Sequence, residues 1–272
     1  QVHHSSEWYN LSTALRQTAT GALFVWPLYL PLALLGVPPV VFGAVALIDL
    51  LYQYWVHTEL VGRLGWADRV FVTPSNHRVH HGQNDYCLDR NYGGILILWD
   101  RLFGTFAEER SDEKVVYGIR KPLASFDPVF GNLNVYRDIA REAAAQPSLH
   151  AALGRWFAPP AGWNTPVPHL DTSTVTRYLP ATSRQAKAYA AVQYALSIPV
   201  VMHFIAVAAA LPLGARVGYA LLIVASCVSL GWWVEGRRVA VRIESLRIAV
   251  VGAIGLVAPQ TFGWPESDGL RA

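Results

Sequence analysis

Between Gly21 and Val56 the chain is apolar almost without interruption, holding one carboxylate, Asp49, and no Lys, Arg or His. A single membrane crossing takes about 20 residues, so a stretch this long is expected to fold back on itself. Gly36-Val37-Pro38-Pro39 supplies the turn, because consecutive prolines remove backbone donors and stop a helix. The arms that result, of roughly 15 to 18 apolar residues, are short for a full crossing, leaving a re-entrant hairpin or a locally thinned bilayer open. Either form returns the chain to the side it left. From Gly62 the text turns polar, and Thr73-Pro74-Ser75 reads as a helix start. Asn91 to Phe106 combines a short apolar run with aromatics and a glycine, as in a helix lying on a membrane or packed in a core.

Residues from Ala107 to about Ala186 are charged and bear prolines, with no long apolar run, and are read as extramembrane. Asp138 to Ala152 is expected to form a surface helix, and Pro159-Pro160 with Pro166 and Pro168 an ordered loop. Hydrophobicity returns in Tyr189–Leu211, then after Pro212-Leu213-Gly214 in Val217–Val234, and a third time in Ile243–Phe262, which holds Glu244 and Arg247. The fold class expected is an all-α integral membrane protein. A histidine-bearing domain over 1–110 includes a membrane hairpin at about 21–58, an extramembrane region covers 111–186, and about three transmembrane helices follow in 187–262. Arg237, Arg238 and Arg242 place the loop between the last two helices in the cytoplasm by the positive-inside rule.

Composition supports the membrane reading, with 53% hydrophobic and 15% charged residues in 272. A formal charge of +3, scattered along the chain, gives no nucleic-acid footprint. Two cysteines, Cys87 and Cys227, form no disulfide framework.

The chemistry lies in the histidines. His77, His80 and His81 stand at i, i+3 and i+4, so on a helix their imidazoles share one face and can point at a common centre. Gln1-Val2-His3-His4 matches Arg78-Val79-His80-His81, and extending the match calls for a histidine just before Gln1. The chain is therefore expected to begin inside a metal box, with part of its ligand set upstream. An even number of passes puts His3 and His4 on the same side of the membrane as His57, His77, His80 and His81. His57 and Glu59 emerge from the apolar run beside Tyr54 and Trp55, where unpaired polar groups are costly. His57 is expected to be a ligand, and Glu59 a ligand, a carboxylate fixing a histidine's tautomer, or a solvated side chain. Imidazole suits zinc, copper, iron and nickel. The number of histidines, with no cysteine in ligand spacing, favours two metals over one zinc. His150, His169 and His203, each alone, read as ordinary histidines. Asn84, Asp85, Asp89 and Asn91 lie close enough to hydrogen-bond to ligands, though most read as loop residues.

Paired HxxHH boxes flanking a membrane hairpin resemble the fatty acid hydroxylase and sterol desaturase superfamily. Gln1 to Glu7, Tyr9 to Gln17, Trp55-Val56-His57-Thr58-Glu59, Thr73 to Gly82, Asn91-Tyr92 and Trp99 to Phe106 are similar to its alkylglycerol monooxygenase branch. The resemblance is dense to about residue 120 and thin beyond. It implies a non-haem di-iron centre held by eight box histidines in the pattern HxxxH, HxxHH and HxxHH. His3, His4, His77, His80 and His81 match that pattern; the HxxxH box and the histidine that leads the second group would precede Gln1. The branch implies dioxygen and a lipid as substrates, hydroxylation of the alkyl carbon beside a glyceryl ether oxygen, and tetrahydrobiopterin as reductant. No feature of the sequence is assignable to the pterin. The metal site is expected on the cytoplasmic side, and the boxes leave a sterol or fatty-acyl hydroxylase or desaturase open. A metal transporter would place ligands inside several spans. A zinc hydrolase would want an HExxH helix, and the chain has none.

Overall fold

The computed structural model describes residues 1–158, 167–257 and 262–263. It divides into two compact units, Gln1–Leu123 with Val135–Arg177, and Ala124–Asn134 with Tyr178–Ala272. Regular structure among the described residues is helical, apart from isolated bridges pairing Phe71 with Leu96 and Gly82 with Tyr117.

In the first unit the second arm of the apolar run is one helix, Pro39–Val56 (α1), opened by Pro39 in its first turn, where a missing N–H costs nothing. Eighteen residues at 1.5 Å each reach about 27 Å, close to the hydrocarbon thickness of about 30 Å. Its apolar side chains, from Val40 to Leu51, stay exposed all round the helix, as suits a lipid-facing span. The first arm is instead broken into Gly21–Phe24, a 3-10 turn at Trp26–Tyr29 and Leu30–Leu34. Pro27 and Pro31 interrupt it, each opening a new short element.

After α1 the chain turns polar and builds the helix Pro74–His80 (α2), whose cap Thr73 accepts from the Asn76 N–H. Leu98–Phe103 (α3) buries Asp100, exposes Leu98, Trp99, Leu102 and Phe103, and closes on Gly104 in the left-handed region, φ 74°. The expected helix at Asp138–Ala152 is two, Pro128–Ala144 (α4) and Leu149–Phe157 (α5), parted at Pro147 and restarted by Ser148, which caps Ala151 N–H. Of the prolines expected to mark a loop, Pro159, Pro160 and Pro166 lie outside the described residues, and Pro168 lies in irregular chain.

The second unit holds Arg184–Val207 (α6), Leu213–Val234 (α7) and Ala240–Val257 (α8). Three helices among the described residues are long and apolar enough to cross a membrane: α1, α6 and α7. The chain is thus an all-α membrane protein. α8 carries Arg242, Glu244 and Arg247. Glu244 accepts from the hydroxyls of Tyr189 on α6 and Ser229 on α7, and pairs with Arg247, which also donates to Gln193 Oε1 at 2.9 Å. Polar groups in membrane helices pair in this way, and this set ties α6, α7 and α8 together. His203 contacts the hydroxyl of Tyr219 within the same unit.

Candidate metal centre

Three pieces of the first unit bring histidines together. A 3-10 turn, His3–Ser5, carries His3 and His4; the C-terminal cap of α1 is His57; α2 and its cap carry His77, His80 and His81. His3, His57, His77 and His81 form one group and His4, His80 and His81 a second, the ligand nitrogens of each lying within 4.8 Å of one another. All six histidines expected as ligands are present, but His77, His80 and His81 do not share one centre. A helix turns 100° per residue, so His77 and His80 face slightly apart, each to its own group, and His81 serves both.

The nitrogens are arranged as a set of lone pairs. His57 Nδ1 lies 2.6 Å from the Gln53 carbonyl, which can only accept, so Nδ1 carries the proton and Nε2 is bare. The same logic holds for His3 Nδ1, 3.1 Å from the Arg16 carbonyl, and His80 Nδ1, 3.2 Å from that of Arg90. Yet His57 Nε2 stands 3.1 Å from His3 Nε2, 3.1 Å from His77 Nε2 and 3.2 Å from His81 Nε2. Two bare nitrogens at that distance repel unless a cation lies between them. His77 Nδ1, buried, lacks a hydrogen-bond partner among the described residues. Burial, opposed by the Gln53 carbonyl, holds the His57 imidazolium down to about 4; burial and the neighbouring imidazoles hold His4 down to about 2 and His77 and His81 well below the usual range. Neutral imidazoles whose far nitrogen is anchored on a carbonyl fit a divalent transition metal.

Around this set the packing is polar and specific. Arg78 donates to Glu109 from Nε and Nη2, both at 2.7 Å, and from Nη1 to the carbonyls of Thr58 at 3.0 Å and Val61 at 2.8 Å. It therefore fixes α2 against the chain that follows His57. Asn91 donates to the carbonyls of Asn76 and Ala107, and Asn84 to that of Lys114. Asp89 accepts from Tyr92, and Asp85 pairs with Arg120 and the exposed His169. These four residues stitch loops and touch none of the six histidines through a hydrogen bond. Glu59 is exposed, lies outside both histidine groups, and accepts from the Tyr117 hydroxyl at 3.2 Å. Burial pushes the Cys87 thiol up to about 12, and the side chain packs against Gly82.

Tyr9, Arg78 and Glu109 are neighbours of the centre that sequence reasoning missed. Tyr9 is 4% exposed and donates to the Val56 carbonyl at 3.0 Å. Only the position of Arg78 inside the box hinted at its role; Glu109, 31 residues away, gave no signal.

A lipid-facing helix that ends in a cluster of six neutral imidazoles, three of them buried and three half-buried, defines the class: a histidine-box membrane protein. The chain matches, over residues 1–105, the family described as Fatty acid hydroxylase. It is 40% identical over 263 residues to alkylglycerol monooxygenase of Danio rerio, covering 92% of this chain and 57% of that protein. With alkylglycerol monooxygenase of Homo sapiens the identity is 38% over 255 residues, covering 91% of this chain and 56% of the relative. An ornithine lipid hydroxylase of Rhizobium tropici is 38% identical over 95 residues, 35% of this chain and 29% of its own. The chain thus spans little more than half the length of the alkylglycerol monooxygenases. No solved structure matches it.

Proposed function

We propose that the protein is a di-iron membrane monooxygenase that cleaves the O-alkyl bond of glyceryl ether lipids. The observation that carries the reading is the pair of imidazole groups sharing His81, with bare nitrogens converging at the end of a lipid-facing helix. The names of its relatives supply the substrate class. In this reading His3, His57, His77 and His81 hold one iron, and His4, His80 and His81 line the place of the other. Iron held there would supply the reduction of dioxygen, with one oxygen atom entering a C–H bond next to the ether oxygen and the other leaving as water on two electrons and two protons from a reductant. The hydroxylated carbon is a hemiacetal, which collapses to an aldehyde and glycerol.

The chain's own residues do the rest. The apolar surface of α1 lets a lipid approach from the bilayer, so that its alkyl chain never enters water. Val56 and Val79, fully buried beside the ligand positions, keep the centre dry. The carbonyls of Gln53, Arg16 and Arg90 hold protons on Nδ1 of His57, His3 and His80, keeping Nε2 free for metal. Tetrahydrobiopterin is the reductant that the family resemblance suggests, and the arginines at 237, 238 and 242 support a cytoplasmic metal side by the positive-inside rule.

The test is metal and product analysis on the protein as its gene encodes it. Anaerobic ferrous loading should give two irons per chain, and loss of iron in His57→Ala. Alkylglycerol under labelled dioxygen should yield a fatty aldehyde and labelled water. Zinc alone, or no iron after loading, refutes the oxygenase reading. Iron with hydroxylated sterol or acyl lipid, and no aldehyde, moves the assignment to another branch of the superfamily.

A further inference from the structure

We propose that Tyr9 and Tyr117 form a one-electron relay that drains oxidising equivalents from the histidine centre to the surface at Glu59. The inference rests on the oxygenase reading above. The Tyr9 ring lies 5.3 Å from the His81 ring and 5.6 Å from that of His57, centroid to centroid. The Tyr117 ring stacks on Tyr9 at 4.8 Å with 11° between planes. Both tyrosines are buried, at 4% and 5% exposure, packed with Val115. Tyr117 hydroxyl donates to Glu59 Oε1 at 3.2 Å, and Glu59 is exposed. Ring contacts run unbroken from the imidazoles to Tyr117, and a hydrogen bond completes the path to a carboxylate in water.

The two phenols differ in what happens to the proton, because removing an electron from a phenol makes its hydroxyl strongly acidic. Tyr9 donates to the Val56 carbonyl, which cannot take a proton, so Tyr9 passes the electron and keeps its hydrogen. Tyr117 donates to a carboxylate, which can. The step balances as follows. One electron leaves Tyr117 through Tyr9 and reduces, by one unit, a dioxygen-derived oxidant held at the centre. The phenolic proton moves to Glu59, and a neutral phenoxyl radical remains on Tyr117. A thiol reductant in solution returns one electron and one proton to the phenoxyl oxygen. The relay matters when no lipid is seated, since the nearest oxidisable groups are then the imidazoles themselves. Packing alone accounts for buried tyrosines but predicts no radical on either.

The test uses ferrous-loaded protein mixed with dioxygen in the absence of lipid and freeze-quenched. Electron paramagnetic resonance reads tyrosyl radical, Mössbauer spectra of the same samples read iron oxidation, and peptide mass spectrometry reads histidine oxidation after repeated cycles. The expected result is a tyrosyl signal in the wild type that is lost in Tyr117→Phe and in Tyr9→Phe and forms more slowly in Glu59→Gln. Oxidised His57, His77 and His81 should increase in Tyr117→Phe. Spin trapping in the wild type, which needs no variant to fold, should place the adduct on the peptide containing Tyr117. Iron oxidation with no tyrosyl radical, or an adduct elsewhere, overturns the relay and leaves the oxygenase reading standing. Iron that does not bind or oxidise overturns that reading and the relay with it.

Discussion

Arg78 offers a sharp test of how the centre is held. It touches no imidazole, yet it joins the helix that carries His77 and His80 to the carbonyls of Thr58 and Val61, just beyond His57. Its side chain is 8% exposed and that of Glu109 18%. Arg78→Met keeps most of the volume, removes four donated hydrogen bonds, and leaves the Glu109 carboxylate with only Ser75. Truncating one partner of a buried pair costs about 3 to 5 kcal/mol, and the partial exposure of Glu109 sets the expectation near the lower end, roughly 3 kcal/mol or a hundredfold in local opening. Hydrogen exchange in detergent, read on the peptide that contains α2, isolates this helix from the second unit. Protection there should fall by that factor, and iron should dissociate faster. Adding Glu109→Gln removes the stranded charge and should recover part of the loss, because that part is the penalty of an unpaired carboxylate. Wild-type protection in Arg78→Met, or a double variant no better than the single, would refute the clamp.

Other perturbations follow from the same geometry. Because the folded-state pKa of His57, His77 and His81 is depressed, the unfolded chain binds more protons below its ordinary histidine range, so the stabilising contribution is full above about pH 6.5 and is lost on acidification towards the folded values. Metal-free protein should therefore lose thermal stability between about pH 6.5 and 4.5, by roughly 1.4 kcal/mol per pH unit for each such histidine, as scanning calorimetry would show; a flat profile removes the neutral-imidazole argument. Burial raises the Glu109 carboxyl but its bonds to Arg78 and Ser75 lower it more, so its contribution is present above the ordinary carboxylate range and is lost only at lower pH still. Gly82→Ala puts a methyl 2.6 Å from Cys87 Sγ and 2.9 Å from Val115 Cγ1. It should destabilise by about 1 to 3 kcal/mol, with Cys87→Ala on the same chain relieving part of the cost in thermal unfolding. Arg247→Met strands Glu244 among α6, α7 and α8 and should lower exchange protection in those helices, while iron content, set by histidines of the first unit, stays unchanged.

What could be read from the sequence was what local rules decide. The spacing of His77, His80 and His81 placed them on one helix, the Thr73-Pro74 start was a capping signal, and the lengths of the apolar runs marked α1, α6 and α7. The first hairpin arm departs from a continuous helix because Pro27 and Pro31 lie within it, a signal present in the sequence beside the stronger break at Pro38-Pro39. The splitting of the box into two groups was not legible, since it depends on where His3, His4 and His57 arrive from elsewhere in the chain. The same holds for the Arg78–Glu109 clamp and the Tyr9–Tyr117 stack, whose partners are 31 and 108 residues apart in the numbering. Such pairs are settled by tertiary approach, and neither periodicity nor propensity carries their trace.

The position of His57 shows how the membrane helix and the metal centre constrain each other. Asp49, Gln53 and His57 lie four residues apart, on one face of α1 and its cap, and each contributes to the next: Gln53 donates its amide to Asp49 at 2.6 Å and offers its carbonyl to His57 Nδ1. That face meets the polar part of the unit, where a methyl on Gly94 would fall 2.3 Å from Asp49 Oδ1, so only a glycine lets the backbone approach so closely. The remaining faces meet lipid. One extra residue in α1 would turn His57 by about 100°, carrying its bare nitrogen from the imidazole cluster towards hydrocarbon and putting Asp49 out of register with Gly94. The apolar run therefore sets more than membrane attachment: its length, counted from the Pro38-Pro39 turn, fixes the angle at which a ligand enters the centre. Inserting one alanine after Leu47 should abolish iron binding while leaving the protein in the membrane fraction, and a compensating deletion at Leu50 or Leu51, which returns His57 to its register, should restore it. Iron retained after the insertion alone would show that His57 is dispensable or that the helix absorbs the extra residue as a local bulge.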